Sequence, residues 1–496
     1  MFRSRSRSME TNKIPKSPAE RITQSIKNKF QCQNATINPI NGDQLILPSI
    51  FKVHQGLRRS NPDSYAPMIV SIGPYHHAST ANPNLLPMEN IKLSYLHSFL
   101  ARTSEDDVGR YVLALQQSKH KALSFYADQN FDDENGDLFV EMMLLDGCFI
   151  VEFVRRYSEL ENGHDLEDDP IFGVDWMRIQ ICRDLMLIEN QLPYFVLLEL
   201  YNLNHDDQFD DVIGDEREPF ANLAMLVFSD MFPKLCPASI FSSAELFEER
   251  EVKHLLHLVH LLCRPPPHSS SSPSGLKSFE GNYGVSGSEV MEPMRCVKEL
   301  EEAGITFKKI GKVYAGIHSL DADTIDDTIS LFDIKFHNGV MEIPSLKVRV
   351  IHCVYVEDST DTFFRNLIAY EQHSSELRPK YFTDYAMFMD QLINTDEDVN
   401  VLRRNGIIVN LLGDDGEVAN LFNKLGEGVI TSSNFYYLGT CNSVNQHCGK
   451  IWNVVMAKLR HDYFNSPWAT ASTIAAVVLL ILTVIQTIAS VIPLYS

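Results

Sequence analysis

The sequence predicts a mainly α fold with a small antiparallel β element (α+β), arranged as a helical globular body plus one C-terminal transmembrane helix. Apolar residues recur at helical spacing through most of the chain. A single region, around residues 332–350, alternates with period two about a His-Asn-Gly turn. Residues Ala469 to Ile492 carry no charged side chain. At a rise of about 1.5 Å per residue that run reaches roughly 36 Å as a helix, enough to cross a bilayer core of about 30 Å with some tilt. A buried core helix is the alternative, and it suits shorter charge-free runs of roughly 10 to 14 residues.

In chain order, residues 1–46 read as a basic disordered arm. The first thirty hold eight Lys/Arg and two Glu without the apolar stretch of a secretory signal. An organellar transit peptide shares this Arg- and Ser-rich composition. Residues 47–263 form a first, helical half. The run PMIVSIGPYHH (67–77) is an extended entry broken at Gly73-Pro74. Met88, Ile91, Tyr95 and Phe99 then recur at helical spacing behind Pro87, and Val108, Tyr111, Val112, Leu115, Ala122, Leu123 and Tyr126 form a second stripe. FVEMMLLDGCFIVEFVRRY (139–157) is apolar nearly all round, as a central helix is. Residues 176–201 make two helical pieces broken between Asn190 and Pro193. The capping box Ser242-x-x-Glu245 starts a helix running to Cys263.

Residues 264–288 are rich in Pro, Ser and Gly and read as a linker or long exposed loop. The second half, residues 289–465, opens with a helix at 290–303. Phe332, Ile334 and Phe336 then alternate up to the turn His337-Asn338-Gly339, and Met341, Ile343, Leu346, Val348 and Val350 continue the alternation. Helices resume at 362–373, 381–395, 399–404 and 417–425. Trp452, Val455, Met456, Leu459 and Tyr463 put an apolar face on a helix leading to the anchor.

Charge and cysteine usage narrow the function. A formal charge of -22, from 65 acidic and 43 basic residues, excludes nucleic acid as a global partner. Nine scattered cysteines without a C-x-x-C pair fit a reducing compartment better than a disulfide framework. Lys450, Lys458 and Arg460 precede the anchor and no basic residue follows, which places the body on the cytosolic side of a membrane. Thr483, Gln486, Thr487 and Ser490 fall close together on the anchor surface, as incidental polarity or as a helix–helix contact. Nothing in the sequence argues for a homo-oligomer.

Several polar groups stand where chemistry could use them. His76 and His77 follow a Gly-Pro turn, with Glu89 and Lys92 on the next helix, and a His oriented by a carboxylate can serve as a general base. No nucleophile accompanies them, so a packed turn whose imidazoles satisfy backbone groups is the commoner explanation. His254, His257 and His260 share one helix, and Glu251-x-x-His254 has the spacing of a di-iron ligand pair. The only other E-x-x-H, Glu161 to His164, sits in an Asn-Gly loop, which favours ordinary helix histidines. Asp146 and Glu189 lie in apolar helices, where a carboxylate needs a partner. Arg155, Arg156 and Arg183 are the candidates. No phosphate-binding lysine loop, dinucleotide glycine fingerprint or zinc spacing is present, so no cofactor or metal is expected. The acidic loops at 128–137, 159–169 and 206–218 lack the calcium-loop pattern and read as solvated insertions.

The same polar residues carry a resemblance. VSIGPYHH (Val70, Gly73, Pro74, Tyr75, His76, His77), MENIKLSYL (Glu89, Lys92), LLDGCFIVE (Asp146, Gly147), IENQLPYFVL (Glu189, Asn190, Gln191, Pro193) and RNLIAYEQ (Asn366, Glu371, Gln372) are similar to hallmark blocks of the plant "domain of unknown function 247" family, also termed UPF0481. Similarity runs from about Ile50 to the anchor. Ala78 departs from the Gly that many members have after the paired histidines. The resemblance implies a plant membrane protein without established catalysis. Some members are linked to grass self-incompatibility as pollen-side determinants. The expected function is therefore protein–protein recognition or signalling at a membrane, with an unknown protein partner. The alternative is a membrane-bound hydrolase or metal enzyme using His76/His77 or His254/His257.

Overall fold

The computed structural model describes residues 47–77, 85–103, 107–128, 131, 137–204, 219–229, 251–265, 292–310, 330–348, 359–431, 434–450 and 467–491. The chain divides into a short unit, Met1–Pro48, and a main unit, Ser49–Ser496. The expected basic arm, the capping box at Ser242, the apolar face around Trp452 and nearly all of the linker lie outside the described residues, as do Ala78 and Ile492.

The main unit is built on one long helix. After α1 (Gln55–Arg58) and a 3-10 turn (Pro62–Tyr65) come α2 (Leu86–Ala101), α3 (Gly109–Ser124) and α4 (Asp137–Glu161). Then follow α5 (Asp175–Asp184), α6 (Tyr194–Leu203), α7 (Phe220–Ser229) and α8 (Leu255–Cys263). As its all-round apolar composition predicts, α4 is the centre, and α2, α3, α6 and α7 pack about it. Gly147 lets α6 come close to α4: a Cβ there would stand 2.4 Å from Leu200 Cδ1. Phe149, Val151, Phe153 and Val154 of α4 are fully buried, each such side chain contributing about 1.5–3 kcal/mol.

The second half carries α9 (Val297–Glu302), β1 (Thr306–Ile310), β2 (Lys335–His337), β3 (Val340–Pro344) and β4 (Leu346–Val348). Next are α10 (Ser359–His373), α11 (Tyr381–Leu392), α12 (Asp396–Arg404), β5 (Ile408–Asn410), α13 (Asp415–Leu425) and α14 (Leu438–Cys448). The expected hairpin is present. β2 and β3 pair antiparallel, and the turn between them puts Asn338 at φ 52° and Gly339 at φ 79°, the left-handed pair that a two-residue hairpin turn requires. The sheet is mixed, because β1 joins β3 in parallel. β4 does not extend the hairpin; it pairs in parallel with β5. One continuous apolar core runs through both halves.

The last element, α15 (Pro467–Val491), is 25 residues long and matches the expected anchor within two residues at its start. Its window Ala471–Ile488 has a mean hydropathy of 2.3 and is 0% buried, so it is long and apolar enough to cross a membrane.

Candidate functional site

Residues 66–73 run as a bent, irregular segment beside α2, α4 and α5, pair with no strand among the described residues, and take from side chains the hydrogen bonds a sheet would supply. Asp184 accepts the N–H groups of Met68 (3.0 Å), Ile69 (2.9 Å) and Val70 (3.1 Å) on Oδ2. Asn190 donates to Val70 O (3.1 Å) and accepts from Ile72 N (2.7 Å). Lys92 donates to Ser71 O (2.7 Å), and Asp146 Oδ2 accepts from Gly73 N (2.8 Å). Arg183 donates to Ala66 O (2.9 Å). Buried backbone groups must find partners somewhere, and this segment finds nearly all of them in side chains from other elements.

At the centre lies a buried charge cluster. Lys92 is 0% exposed and its Nζ donates to Asp146 Oδ1 (2.6 Å) and Glu89 Oε1 (2.7 Å). Burial alone would pull the ammonium down; Asp146 and Glu89 outweigh it, so Lys92 stays above its ordinary pKa. The partner of Asp146 is therefore Lys92 and none of the three arginines anticipated. Arg155 and Arg156 lie nine and ten residues further along α4, about 14 Å along its axis. Arg155 instead holds Asn204 O (3.0 Å), Arg156 bridges Glu152 and Asp169, and Arg183 pairs with Asp184 (2.9 Å).

Glu189 is likewise paired differently. It accepts from Val53 N (2.6 Å) and from the Arg58 guanidinium, and its Oε2 lies 3.4 Å from His76 Nε2. Burial pushes its pKa up, but the His76, Val53 and Arg58 hydrogen bonds reverse that, and the carboxyl ends below its ordinary value. Glu189, and not Glu89, is the carboxylate facing His76. His77 is exposed, Pro74 is half-buried, and Tyr75 packs edge-on to Tyr126 (5.9 Å) and Phe131 (5.1 Å). Gly73 has φ +72°, and a Cβ would sit 2.6 Å from Gln191 O, so the position demands glycine. Gln191 donates to Leu185 O (2.6 Å) and Leu187 O (2.9 Å) and accepts from Leu256 N (3.2 Å). Pro193 is the residue before α6.

The RNLIAYEQ block performs the same task for the second half. Asn366 accepts from Ile188 N (3.0 Å) and donates to Ser64 O (2.8 Å), while Arg365 pairs with Asp361 (2.6 Å). Glu371 receives Phe382 N (3.1 Å) and Thr383 N (2.7 Å) at the start of α11, where a carboxylate suits the helix dipole. Its Oε1 also faces His260 Nε2 at 2.9 Å. Gln372 exchanges hydrogen bonds with Ile430 N (3.3 Å) and O (3.0 Å).

The three histidines of α8 surround the buried Tyr370 ring, at centroid distances of 4.9 Å (His254), 5.6 Å (His257) and 5.6 Å (His260). His254 caps α8 by accepting His257 N (3.1 Å), and His257 Nδ1 accepts Lys253 N (3.0 Å). Burial holds all three neutral: His254 is pushed down to about 3, His257 well below its usual value, and His260 below it despite Glu371. Among the described residues no group of three or more His, Cys, Asp and Glu side chains is placed to hold a metal.

Sequence reasoning missed Asp184, the acceptor for three successive N–H groups, and Arg58. The signal for Asp184 was available: it is another acid among apolar residues, in ICRDLMLIEN.

The sites thus define a helical protein whose motif residues bind its own backbone. Consistent with those motifs, the chain belongs to DUF247, a plant protein family of unknown function, which it matches over residues 50–482. It is 28% identical over 448 residues to UPF0481 protein At3g47200 of Arabidopsis thaliana, covering 88% of this chain and 85% of that protein. It is 24% identical to putative UPF0481 protein At3g02645 of the same plant, covering 88% of this chain and 89% of the relative. No solved structure matches the chain.

Proposed function

We propose that the protein is a single-pass, membrane-tethered recognition protein, anchored by α15 with its helical body on the cytosolic side. The observation that carries this reading is the exposure of α15 on every side: Leu479 (63%), Leu480 (66%), Ile485 (56%) and Ile488 (55%) all stand open. Such a surface is costly in water and is satisfied by hydrocarbon. Lys450, Lys458 and Arg460 before the helix support the orientation. Recognition, as opposed to chemistry inside the body, is supported by where the motif side chains are spent. Asp146, Lys92, Glu189, Asn190, Gln191, Asn366 and Glu371 all serve internal backbone or charge partners. What such a body offers other molecules is its outer surface.

The test is membrane fractionation joined to protease protection. The full chain should stay with membranes through salt and alkaline washes, and a chain lacking residues 467–491 should not. A protease outside sealed, cytosolic-side-out vesicles should digest the body. Release of the intact chain by salt, or protection of the body in those vesicles, refutes the proposal.

A further inference from the structure

Asparagine followed by glycine is a dipeptide prone to spontaneous covalent change, because no Cβ on the second residue shields its backbone nitrogen. That nitrogen attacks the side-chain carbonyl carbon of the asparagine, ammonia leaves with the proton the nitrogen gives up, and a cyclic imide forms. Water then opens the ring. The product is aspartate or, with the main chain rerouted through the former side chain, isoaspartate. Attack requires a side-chain amide free to swing inward and a glycine N–H that no acceptor holds.

The described residues contain three such pairs: Asn162-Gly163, Asn338-Gly339 and Asn405-Gly406. Two of them close helices. After α4, Gly163 N donates to Leu160 O (2.9 Å) and His164 N to Glu159 O (3.0 Å). After α12, Gly406 N donates to Arg403 O (2.9 Å) and Ile407 N to Leu402 O (2.9 Å). These are the paired bonds of a Schellman end, and they occupy the glycine N–H. The asparagine side chains are tied as well: Asn405 Nδ2 donates to Val401 O (2.9 Å) and Asn162 Nδ2 to Ser158 Oγ (3.5 Å).

The β2–β3 turn is built otherwise. A two-residue hairpin turn is closed by the residues flanking it, so the N–H of its second central residue stays outside the ladder. Among the described residues, neither Gly339 N nor the Asn338 side chain has a hydrogen-bond partner. Gly339 is buried against α14, where a Cβ would stand 3.1 Å from His447 Cε1. Asn338 is exposed, so its side chain is the group that moves and water reaches the carbon under attack.

We propose that Asn338-Gly339 is a modification site at which the folded chain forms isoaspartate, ahead of Asn162-Gly163 and Asn405-Gly406, and that the product opens the three-stranded sheet. Isoaspartate inserts one methylene into the main chain of a two-residue turn. His337 and Val340 pair across β2 and β3 on either side of it, and Gly339 O accepts Thr306 N (2.9 Å) from β1. The turn cannot take in the extra carbon and keep both attachments.

The experiment ages the full chain in neutral detergent at mildly alkaline pH, with a parallel sample in urea. Mass spectrometry of the peptides and enzymatic methylation of isoaspartate follow each pair, and amide exchange follows Thr306. In the folded chain the 338–339 peptide should convert roughly tenfold faster than the other two, since each of those must first break two hydrogen bonds. In urea all three should convert at comparable rates. Loss of Thr306 protection should track conversion at 338–339. Asn338→Gly, which suits the left-handed turn and has no side chain to attack, should keep that protection throughout. Conversion at 338–339 no faster than at the helix ends overturns the proposal. An equal advantage in urea does so too, because the neighbouring residues and not the fold would then select the site. Equal loss of Thr306 protection in Asn338→Gly overturns the opening of the sheet.

Discussion

Replacing Lys92 by Met is the sharpest probe of the buried cluster. Met nearly fills the volume of the lysine stem and removes only the ammonium. Three acceptors then lose their donor: Ser71 O, Glu89 Oε1 and Asp146 Oδ1. Glu89 is 25% exposed and can turn to water, whereas Asp146 at 2% cannot. The cost is that of an uncompensated buried charge, about 3–5 kcal/mol, against a total stability on the order of 5–15 kcal/mol. Asp146→Asn should cost less, about 2–3 kcal/mol, because Lys92 keeps Glu89 and Asn keeps an acceptor for Gly73 N. The double variant leaves no uncompensated buried carboxylate, so it should be about 2 kcal/mol more stable than the sum of the two losses. Urea unfolding of the full chain in detergent, followed by near-UV circular dichroism, reads all three. A Lys92→Met loss below about 1 kcal/mol, or strict additivity in the double variant, would show that the cluster does not hold the fold.

Gly73→Ala should destabilise by at least about 2 kcal/mol, because it meets both a left-handed backbone and a backbone carbonyl that cannot move away; equal melting curves would contradict this. The α8 histidines make stability depend on pH. Their folded pKa values lie below the ordinary 6.5, so the unfolded chain takes up protons first and stability falls as pH drops below about 6.5. His254, pushed down to about 3, alone loses about 1 kcal/mol between about pH 6.5 and 5.5; His257 and His260 add to the loss in the same direction, and His260→Gln should shallow the slope in a pH series of denaturation midpoints. Glu371→Gln, which keeps one acceptor for the start of α11 but loses its charge, should cost about 1–2 kcal/mol and should show as faster amide exchange at Phe382 and Thr383.

How much of this was readable beforehand follows physical lines. α4 was legible because no surface helix has its all-round apolar composition, and the hairpin because His337-Asn338-Gly339 names its own turn. The pairing of β1 with β3 and of β4 with β5 was not, since parallel neighbours are joined through long connections with no local signature. Burial of Asp146 and Glu189 followed from their apolar surroundings, but their partners did not. Lys92 is 54 residues from Asp146 and Arg58 is 131 from Glu189, and only the packed arrangement of α1, α2 and α4 shows which cation arrives. The convergence of His260 on Glu371, 111 residues apart, is of the same kind.

The bent run at 68–73 has a consequence for how this chain can change. Its hydrogen-bond partners are single atoms fixed on α2, α4, the end of α5 and the turn before α6, spaced for one alignment of the chain. An inserted or deleted residue there could not slide along a ladder to a new register; it would strand several amides together.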